Sequence, residues 1–323
     1  MRFAAKVRFM VCLLVAWASA LASASEDVLR LLERSLSPPD IDYHGTVVLQ
    51  IGDRVQTLRV THMNKEGKRV EWVEVLEGEP RETVRIGEEV RCFLPEEKLV
   101  LMDRAAGGSG VPYHPRGSVG RIEASYQIEP LGEGREAGRE VVGIRFVPRD
   151  ALRFGQEWWI DKESGIVLKR TIWDEAPVRV LETQFFSDFR VTGLPDVAQV
   201  RRKFGAHEDW QRIDLRGRRI EAADTGWAFT VMPAGFELEA VFQRRGPSGK
   251  TITQWQIGDG LVSVSVFFEP WDGDEMGEKT DHFGATKVVR RREPGALRTA
   301  MGEVSDVTLR ALLDAMVRHQ GAQ

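Results

Sequence analysis

The stretch Phe154–Phe189, FGQEWWIDKESGIVLKRTIWDEAPVRVLETQFFSDF, decides the fold of this chain. Its apolar residues alternate along three segments that are separated by two turns, and a period of two indicates β-strands. Trp159 and Trp173 fall on the mostly charged face. The stretch holds no nucleophile, metal cluster or phosphate loop, which argues against catalysis. Its apolar face predicts a wall that encloses an apolar ligand. This apolar face carries Phe154, Trp158 and Ile160 on the first strand, Ile166, Leu168 and Ile172 on the second, and Leu181, Phe185 and Phe189 on the third.

The chain begins with a predicted signal peptide, residues 1–24. A basic start, Arg2–Arg8, precedes the apolar run Phe9–Ala20, and the small residues at 22–24 fit a cleavage site. The apolar run is shorter than the ~20 residues of a membrane-spanning helix, which argues against an anchor. No cysteine stands directly after the cleavage site, so no lipid anchor is expected. We therefore expect a soluble protein in an oxidising space outside the cytoplasm.

The rest of the chain divides into two predicted domains. The first domain, residues 25–192, consists of a predicted helix over Glu26–Leu36 and about eleven antiparallel strands. Consecutive hairpins of this kind curl into an unclosed barrel, and the helix is expected to plug its concave side. Ala105–Gly120 is rich in Gly, Ser and Pro and is predicted as a mobile loop. Besides the three strands of the opening stretch, the predicted strands are Tyr43–Ile51, Val55–Asn64, Lys68–Glu77, Arg81–Ile86, Glu89–Leu94, Lys98–Met102, Ser125–Leu131 and Arg139–Pro148.

Hydrophobic content falls over residues 193–225, which we interpret as a linker. A small α+β domain, residues 226–323, follows, and its last element is a predicted helix, Val307–Arg318, capped by Ser305 or Asp306. The mainly-β first domain and the α+β second domain define the predicted fold class. The strands predicted in the second domain are Trp227–Val231, Phe236–Arg244, Thr251–Ile257, Leu261–Glu269, Thr286–Arg291 and Leu297–Val304.

Catalysis finds no support in the residue patterns. The six histidines show no paired spacing, so no metal site is predicted, and the glycine-rich run at 107–110 lacks the lysine of a phosphate-binding loop. Cys92 is the one cysteine beyond the signal peptide, and a buried inert thiol is favoured over a reactive one. Removing three basic signal residues from the total of 45 leaves 42 against 49 acidic residues, a net charge of about −7 that does not suggest nucleic-acid binding. We predict a protein that is not an enzyme and needs no cofactor.

Two sets of residues are candidates for binding. The first would line an apolar cavity, although an ordinary core explains the same pattern: Trp72, Phe93, Trp158, Ile160, Leu168, Phe185 and Phe189. Strand parity does not decide whether the Trp158 face or the Trp159 face looks into such a cavity. The second set would dock an acidic peptide or lipid phosphates, although basic runs are also typical of solvated surfaces: Arg216, Arg218, Arg219, Arg290, Arg291 and Arg292.

A series of short segments resembles the periplasmic sigma-E regulatory proteins of the RseB/MucB family. The matching segments occur in order over nearly the whole chain after the signal peptide. They are Asp42–Thr46, His62, Leu76–Glu82, Gly138-Arg139, Val147–Asp150, Trp159–Gly165, Met232–Phe236 and Asp259–Val266.

The resemblance implies a first domain similar to the lipoprotein carriers LolA and LolB. It also implies a negative regulator that binds the periplasmic domain of an anti-sigma factor of the RseA/MucA type and shields it from proteolysis. Lipopolysaccharide or lipoprotein acyl chains would loosen that complex. The alternative function is a lipid or lipoprotein carrier, but a carrier needs only one barrel domain. Self-association stays open.

Overall fold

The computed structural model describes residues 26–37, 41–104, 117–174, 179–246 and 249–318. The predicted signal peptide, residues 105–116 of the Gly-rich loop and turn residues 175–178 lie outside the described residues. Within the described part of the chain, no helix has the length and apolar character needed to cross a membrane.

The first domain is one twelve-stranded sheet with strand order β12-β6-β5-β4-β3-β2-β1-β11-β10-β9-β8-β7. Strands β7 and β12 lie at its two ends and do not pair with each other, so the barrel is unclosed, as predicted. All pairs are antiparallel except β12 with β6, which is parallel. The strands are β1 (Tyr43–Ile51), β2 (Arg54–Lys65), β3 (Lys68–Val75), β4 (Glu82–Ile86), β5 (Glu89–Leu94), β6 (Leu99–Arg104), β7 (Tyr126–Glu136), β8 (Arg139–Pro148), β9 (Gly155–Asp161), β10 (Val167–Asp174), β11 (Arg179–Arg190) and β12 (Gln211–Asp214).

The stretch Phe154–Phe189 forms the three predicted strands, β9, β10 and β11. The prediction that Phe185 and Phe189 lie on the same face of β11 is wrong. In the pairing of β1 with β11, Val47 lies opposite Phe186 while Thr46 lies opposite Asp188, so a bulge interrupts the alternation near Ser187. A bulge moves the following residues to the other face of the sheet. Phe189 therefore packs against Phe186, with ring centroids 5.2 Å apart, and not beside Phe185.

The two faces of this sheet bury different helices. The α1 face is the face of Trp158, and α1 (residues 26–36) packs there with α2 (Val119–Ser125). The α3 face is the face of Trp72, which α3 (Val197–Gly205) covers. The leading helix thus packs into the half-barrel as predicted. Helix α2 occupies the end of the segment predicted as a mobile loop, which is a correction: Val119 and Ile122 give it an apolar side that the Gly content concealed.

The segment predicted as a linker contributes elements to both sheets. Helix α3 is capped by Asp196, whose carboxylate accepts a hydrogen bond of 3.0 Å from the Ala198 amide. Strand β12 extends the first sheet, and β13 (Arg218–Ile220) pairs with β15 of the second sheet. A 3₁₀ turn, Ala222–Thr225, completes the segment. The connecting segment therefore adds one short edge strand to each of the two sheets, β12 to the first and β13 to the second.

The second domain is a seven-stranded sheet with order β13-β15-β16-β17-β20-β19-β18, covered by α4 (Asp306–Ala315). Helix α4 ends three residues earlier than predicted, because Met316–Arg318 forms β21 and pairs with β14. Strand β18 was not predicted, because most of its residues are polar and exposed and show no apolar alternation. The remaining strands are β14 (Trp227–Phe229), β15 (Glu237–Arg245), β16 (Thr251–Gly258), β17 (Ser263–Trp271), β18 (Gly277–Phe283), β19 (Thr286–Glu293) and β20 (Gly295–Gly302).

A methyl group at position 155 would collide with the Trp173 ring. Since overpacking a dense core costs about 1–3 kcal/mol, we expect Gly155→Ala to lower the free energy of unfolding by that amount in urea titrations. Gly120→Ala is the matched control, because Gly120 lies in α2 with no atom in the path of a new methyl group. Equal stabilities of the two variants would contradict this packing.

Candidate functional site

The junction of the two domains is built on the turn between β16 and β17. Asp259 is fully buried, and its Oδ1 accepts hydrogen bonds from the backbone amides of Leu261 and Val262, each at 2.9 Å. Its other oxygen, Oδ2, accepts one from Arg153 Nε at 2.7 Å and one from the Tyr126 hydroxyl at 3.2 Å. One carboxylate thus closes its own turn and binds two side chains of the first domain.

Arg153 lies just before β9 and has a side chain with no exposed surface. It donates further hydrogen bonds to Asp150 and to the carbonyl of Ala234. The guanidinium carbon also lies 4.4 Å from the centre of the Phe236 ring. A buried charge is strongly destabilising once its partner is removed, so this pair fixes the two domains in one arrangement.

The same turn places an apolar side chain in the core of the first domain. Leu261 is 3% exposed and belongs to the cluster that joins α1 and α2 to the sheet. All other members of that cluster come from the first domain: Leu32, Leu36, Val119, Ile122, Tyr126, Ile144, Phe146, Trp158, Ile160 and Val167. The turn therefore fills space on the α1 face that the first domain does not fill itself.

A second ion pair crosses the junction between Arg170 of β10 and Glu303. Arg170 is 4% exposed and also donates through Nε to Gln156 Oε1 at 2.9 Å. Glu182 lies nearby on β11. Burial, together with the negative charge of Glu303, raises the pKa of the Glu182 carboxyl above its ordinary value, although Arg170 acts in the opposite sense. The junction thus holds one carboxyl group that resists ionisation.

The structure separates the predicted cavity residues. Residues that pair across neighbouring strands have their side chains on the same face of the sheet. The α1 face can therefore be followed across the sheet through a series of paired residues: Trp158, Arg170, Gln184, Leu49 and Gln56. Thr61 is five residues from Gln56 on β2, so its side chain lies on the opposite face, and its partner Trp72 lies on that face as well. The α1 face holds Trp158, Ile160 and Phe189, the α3 face holds Trp72, Phe93 and Phe185, and Leu168 lies at a register shift.

A row of small and apolar residues continues the α1 face beyond α1. The pairs run across five strands, β2 to β6, in unbroken register. Val60 at one end is buried, and the others are partly exposed. The row consists of Val60, Val73, Thr83, Cys92 and Leu101. This row was not predicted, because the same strands also present larger apolar residues on the α3 face.

Tyr43 and His62, which carry part of the family resemblance, pack as a buried pair across β1 and β2. Their rings stack with centroids 4.9 Å apart, and His62 Nδ1 lies 3.1 Å from a carboxylate oxygen of Glu71. Burial, aided by the charge of Glu71, raises the pKa of the Tyr43 hydroxyl well above its ordinary value. This polar cluster lies in the core and is explained by structure alone.

Most of the arginines predicted to bind a partner are engaged within the chain. Arg216 pairs with Asp214, and Arg219 donates to the Glu239 carbonyl. In the second run, Arg290 pairs with Asp281, Arg291 with Glu278 and Asp314, and Arg292 with Glu275. Arg218 is exposed on β13, and the described part of the chain gives it no ion pair. The first run lies on β13 and just before it, the second lies on β19, and these two strands are not neighbours in the sheet.

Arg153, Asp259, Tyr126 and Leu261 were not predicted as a site. Gly258-Asp259-Gly260 predicts a hairpin turn, and the turn accounts for the residue types there without any contact to another domain. The available signal was an arginine between two apolar residues, Leu152 and Phe154, next to a core strand. Within the described residues, no group of three His, Cys, Asp or Glu side chains is placed to hold a metal ion.

Two family models match the chain. Residues 28–206 match the MucB/RseB N-terminal domain, and residues 221–317 match the MucB/RseB C-terminal domain. The sigma factor AlgU regulatory protein MucB of Pseudomonas aeruginosa is 28% identical over 289 residues, which cover 88% of this chain and 87% of MucB. The sigma-E factor regulatory protein RseB of Haemophilus influenzae is 22% identical, with 91% and 93% covered.

A solved structure of MucB in complex with MucA(peri) has the same fold. Its TM-score is 0.67 at 25% sequence identity, and the match covers 92% of this chain and 100% of that chain. The likeness therefore includes both domains and their connection.

The raised pKa of Glu182 gives a test of the junction. Because folding raises this pKa, the folded state loses free energy relative to the unfolded state as the pH rises above the unfolded pKa of about 4.3, and it loses none at a lower pH, where both states are protonated. We expect Glu182→Gln to raise the melting temperature at pH 7 to 8 and to leave it unchanged near pH 4. Glu88→Gln is the control, since Glu88 is exposed in the turn between β4 and β5 and forms no ion pair within the described residues. A destabilised Glu182→Gln variant at pH 8 would contradict the assignment.

Proposed function

The chain belongs to the MucB/RseB family, and on that premise we propose that it is a periplasmic negative regulator of a sigma-E-type envelope stress response. In this function it binds the periplasmic domain of an anti-sigma factor of the RseA/MucA type and shields that domain from proteolysis. An acyl chain of a lipid or lipoprotein loosens the complex. The protein acts by binding and not by catalysis.

The observation that carries the proposal is the extent of the likeness. Both domains match the family, and MucB, which has been solved with MucA(peri), aligns over its whole length. A lipid or lipoprotein carrier needs only one half-barrel. Here a second domain is held against the half-barrel by two ion pairs with largely buried arginines, Arg153 to Asp259 and Arg170 to Glu303. A fixed second domain favours a regulator over a carrier.

The lipid-sensing part of the proposal is supported by the α1 face. It presents the filled cluster around Trp158 and, further along the sheet, the partly exposed row that ends at Leu101. Burying each methylene of an acyl chain contributes ~0.8 kcal/mol, so a long chain on this face gains appreciable binding energy. Of the predicted cavity residues, Trp158, Ile160 and Phe189 are on the face that this proposal uses.

A protection assay tests the regulatory function. The periplasmic domain of the cognate anti-sigma factor is digested by the protease that cleaves it, with and without the purified protein, and intact substrate is followed over time. We expect slower cleavage when the protein is in excess over its Kd, because bound substrate is removed from the protease. A control digestion of an unrelated substrate should be unaffected. Equal cleavage rates would overturn the regulatory function.

Arg218 gives a test of the predicted partner surface. Because its guanidinium is exposed on the edge strand of the second sheet, we expect Arg218→Glu to weaken anti-sigma factor binding by about 1 kcal/mol, a roughly fivefold rise in Kd. Arg202→Glu makes the same charge change at an exposed position of α3, on the first domain, and serves as the matched control. An equal effect of both variants in titration calorimetry would show that only net charge matters.

A further inference from the structure

We propose that Leu261 is an internal plug of the acyl-chain site and that the Arg153–Asp259 pair is the latch that holds it there. Acyl-chain binding and latch closure then exclude each other. This inference rests on the lipid-sensing part of the proposed function, and it identifies the switch within that function.

The turn that carries Leu261 moves as one unit. Asp259 Oδ1 binds the amides of Leu261 and Val262, and the Asp259 amide donates to the Val262 carbonyl at 3.2 Å. Gly260 has φ +97°, a left-handed conformation that a residue with a side chain rarely adopts. The apolar plug and the anionic latch therefore cannot be displaced independently.

Tyr126 joins the latch to the apolar core. Its ring is fully buried and meets Phe146 edge-on with centroids 6.4 Å apart, while its hydroxyl donates to Asp259 Oδ2. Besides that hydroxyl, the cluster that surrounds Leu261 contains one other polar side-chain group, the Trp158 indole N–H, and this group donates to Gln156 Oε1 at 3.0 Å; the remaining side-chain surface of the cluster is hydrocarbon. The chemical class of occupant that can replace Leu261 there is a hydrocarbon chain.

The plug is contributed by the second domain, and the space it fills belongs to the first. A hydrocarbon chain that enters between α1 and Trp158 takes the contacts of Leu261, and withdrawal of the turn separates Asp259 from Arg153. By linkage, whatever weakens the latch strengthens acyl-chain binding, and acyl-chain binding weakens the latch. The signal thus reaches the second domain through one turn.

Fluorescence titration with dansyl-aminoundecanoic acid tests the plug in the intact protein. We expect Leu261→Ala and Asp259→Asn each to raise the affinity for the probe by about 5- to 150-fold, the range of a typical coupling between sites. Tyr126→Phe removes only the hydroxyl that reaches Asp259, so it should keep the fold and shift the affinity in the same direction. Combining Leu261→Ala with Asp259→Asn should give less than the product of the single effects, because both release the same turn.

Leu238→Ala is the matched control, since Leu238 is in the second domain but 39% exposed and outside the cluster. Cooperative thermal unfolding shows that each variant is folded. The plug is overturned if every protein binds the probe with the same affinity, or if none binds it. The protection assay is run on the same proteins. If the plug is overturned but the wild-type protein still slows cleavage of the anti-sigma factor, the regulatory function stands. If the wild-type protein does not slow that cleavage, the regulatory function is refuted, whatever the probe titrations show.

Discussion

The arrangement of the two domains depends on one buried ion pair, Arg153 with Asp259. Apolar surfaces tolerate small displacements, but a buried guanidinium and carboxylate must stay in hydrogen-bond contact, because separating them leaves two uncompensated charges. Neighbouring contacts follow from this constraint. Thr308 Oγ1 donates to the Leu152 carbonyl at 2.5 Å, and Arg153 forms a β-bridge with Val304. The start of α4 is thereby attached to the same few residues of the first domain.

The half-barrel depends on a division of its two faces. Between β2 and β6 the larger apolar residues point to α3, whereas between β7 and β10 they point to α1. Register shifts in β10 and β11 lie between these regions. A bulge bends and twists a sheet locally, so the shifts curl it there without closing it. The result is one face that is partly open to solvent and partly covered by α1 and the second domain.

Local patterns predicted the strands and failed where distant residues decide the structure. Strands β1, β5 and β8 have the predicted bounds, because alternation and Gly turns are written in neighbouring residues. The bulge near Ser187 has no local signal, and it moved Phe189 away from Phe185. Met316–Arg318 has helical periodicity with α4 but pairs with β14, some 90 residues earlier in the chain. The Arg153–Asp259 latch joins residues 106 positions apart, and nothing near either residue indicates the other.

The energy of the latch bears on what the proposed sensor can detect. Burial of a leucine contributes about 1.5–3 kcal/mol, and breaking a buried ion pair costs about 3–5 kcal/mol. A chain that displaces Leu261 and opens the latch must therefore recover up to about 8 kcal/mol. At ~0.8 kcal/mol for each methylene, that requires a chain of roughly ten carbons. Small apolar metabolites fall below this threshold, while the acyl chains of membrane lipids and lipoproteins exceed it. The plug and latch would thus make the length of the hydrocarbon the property that is sensed.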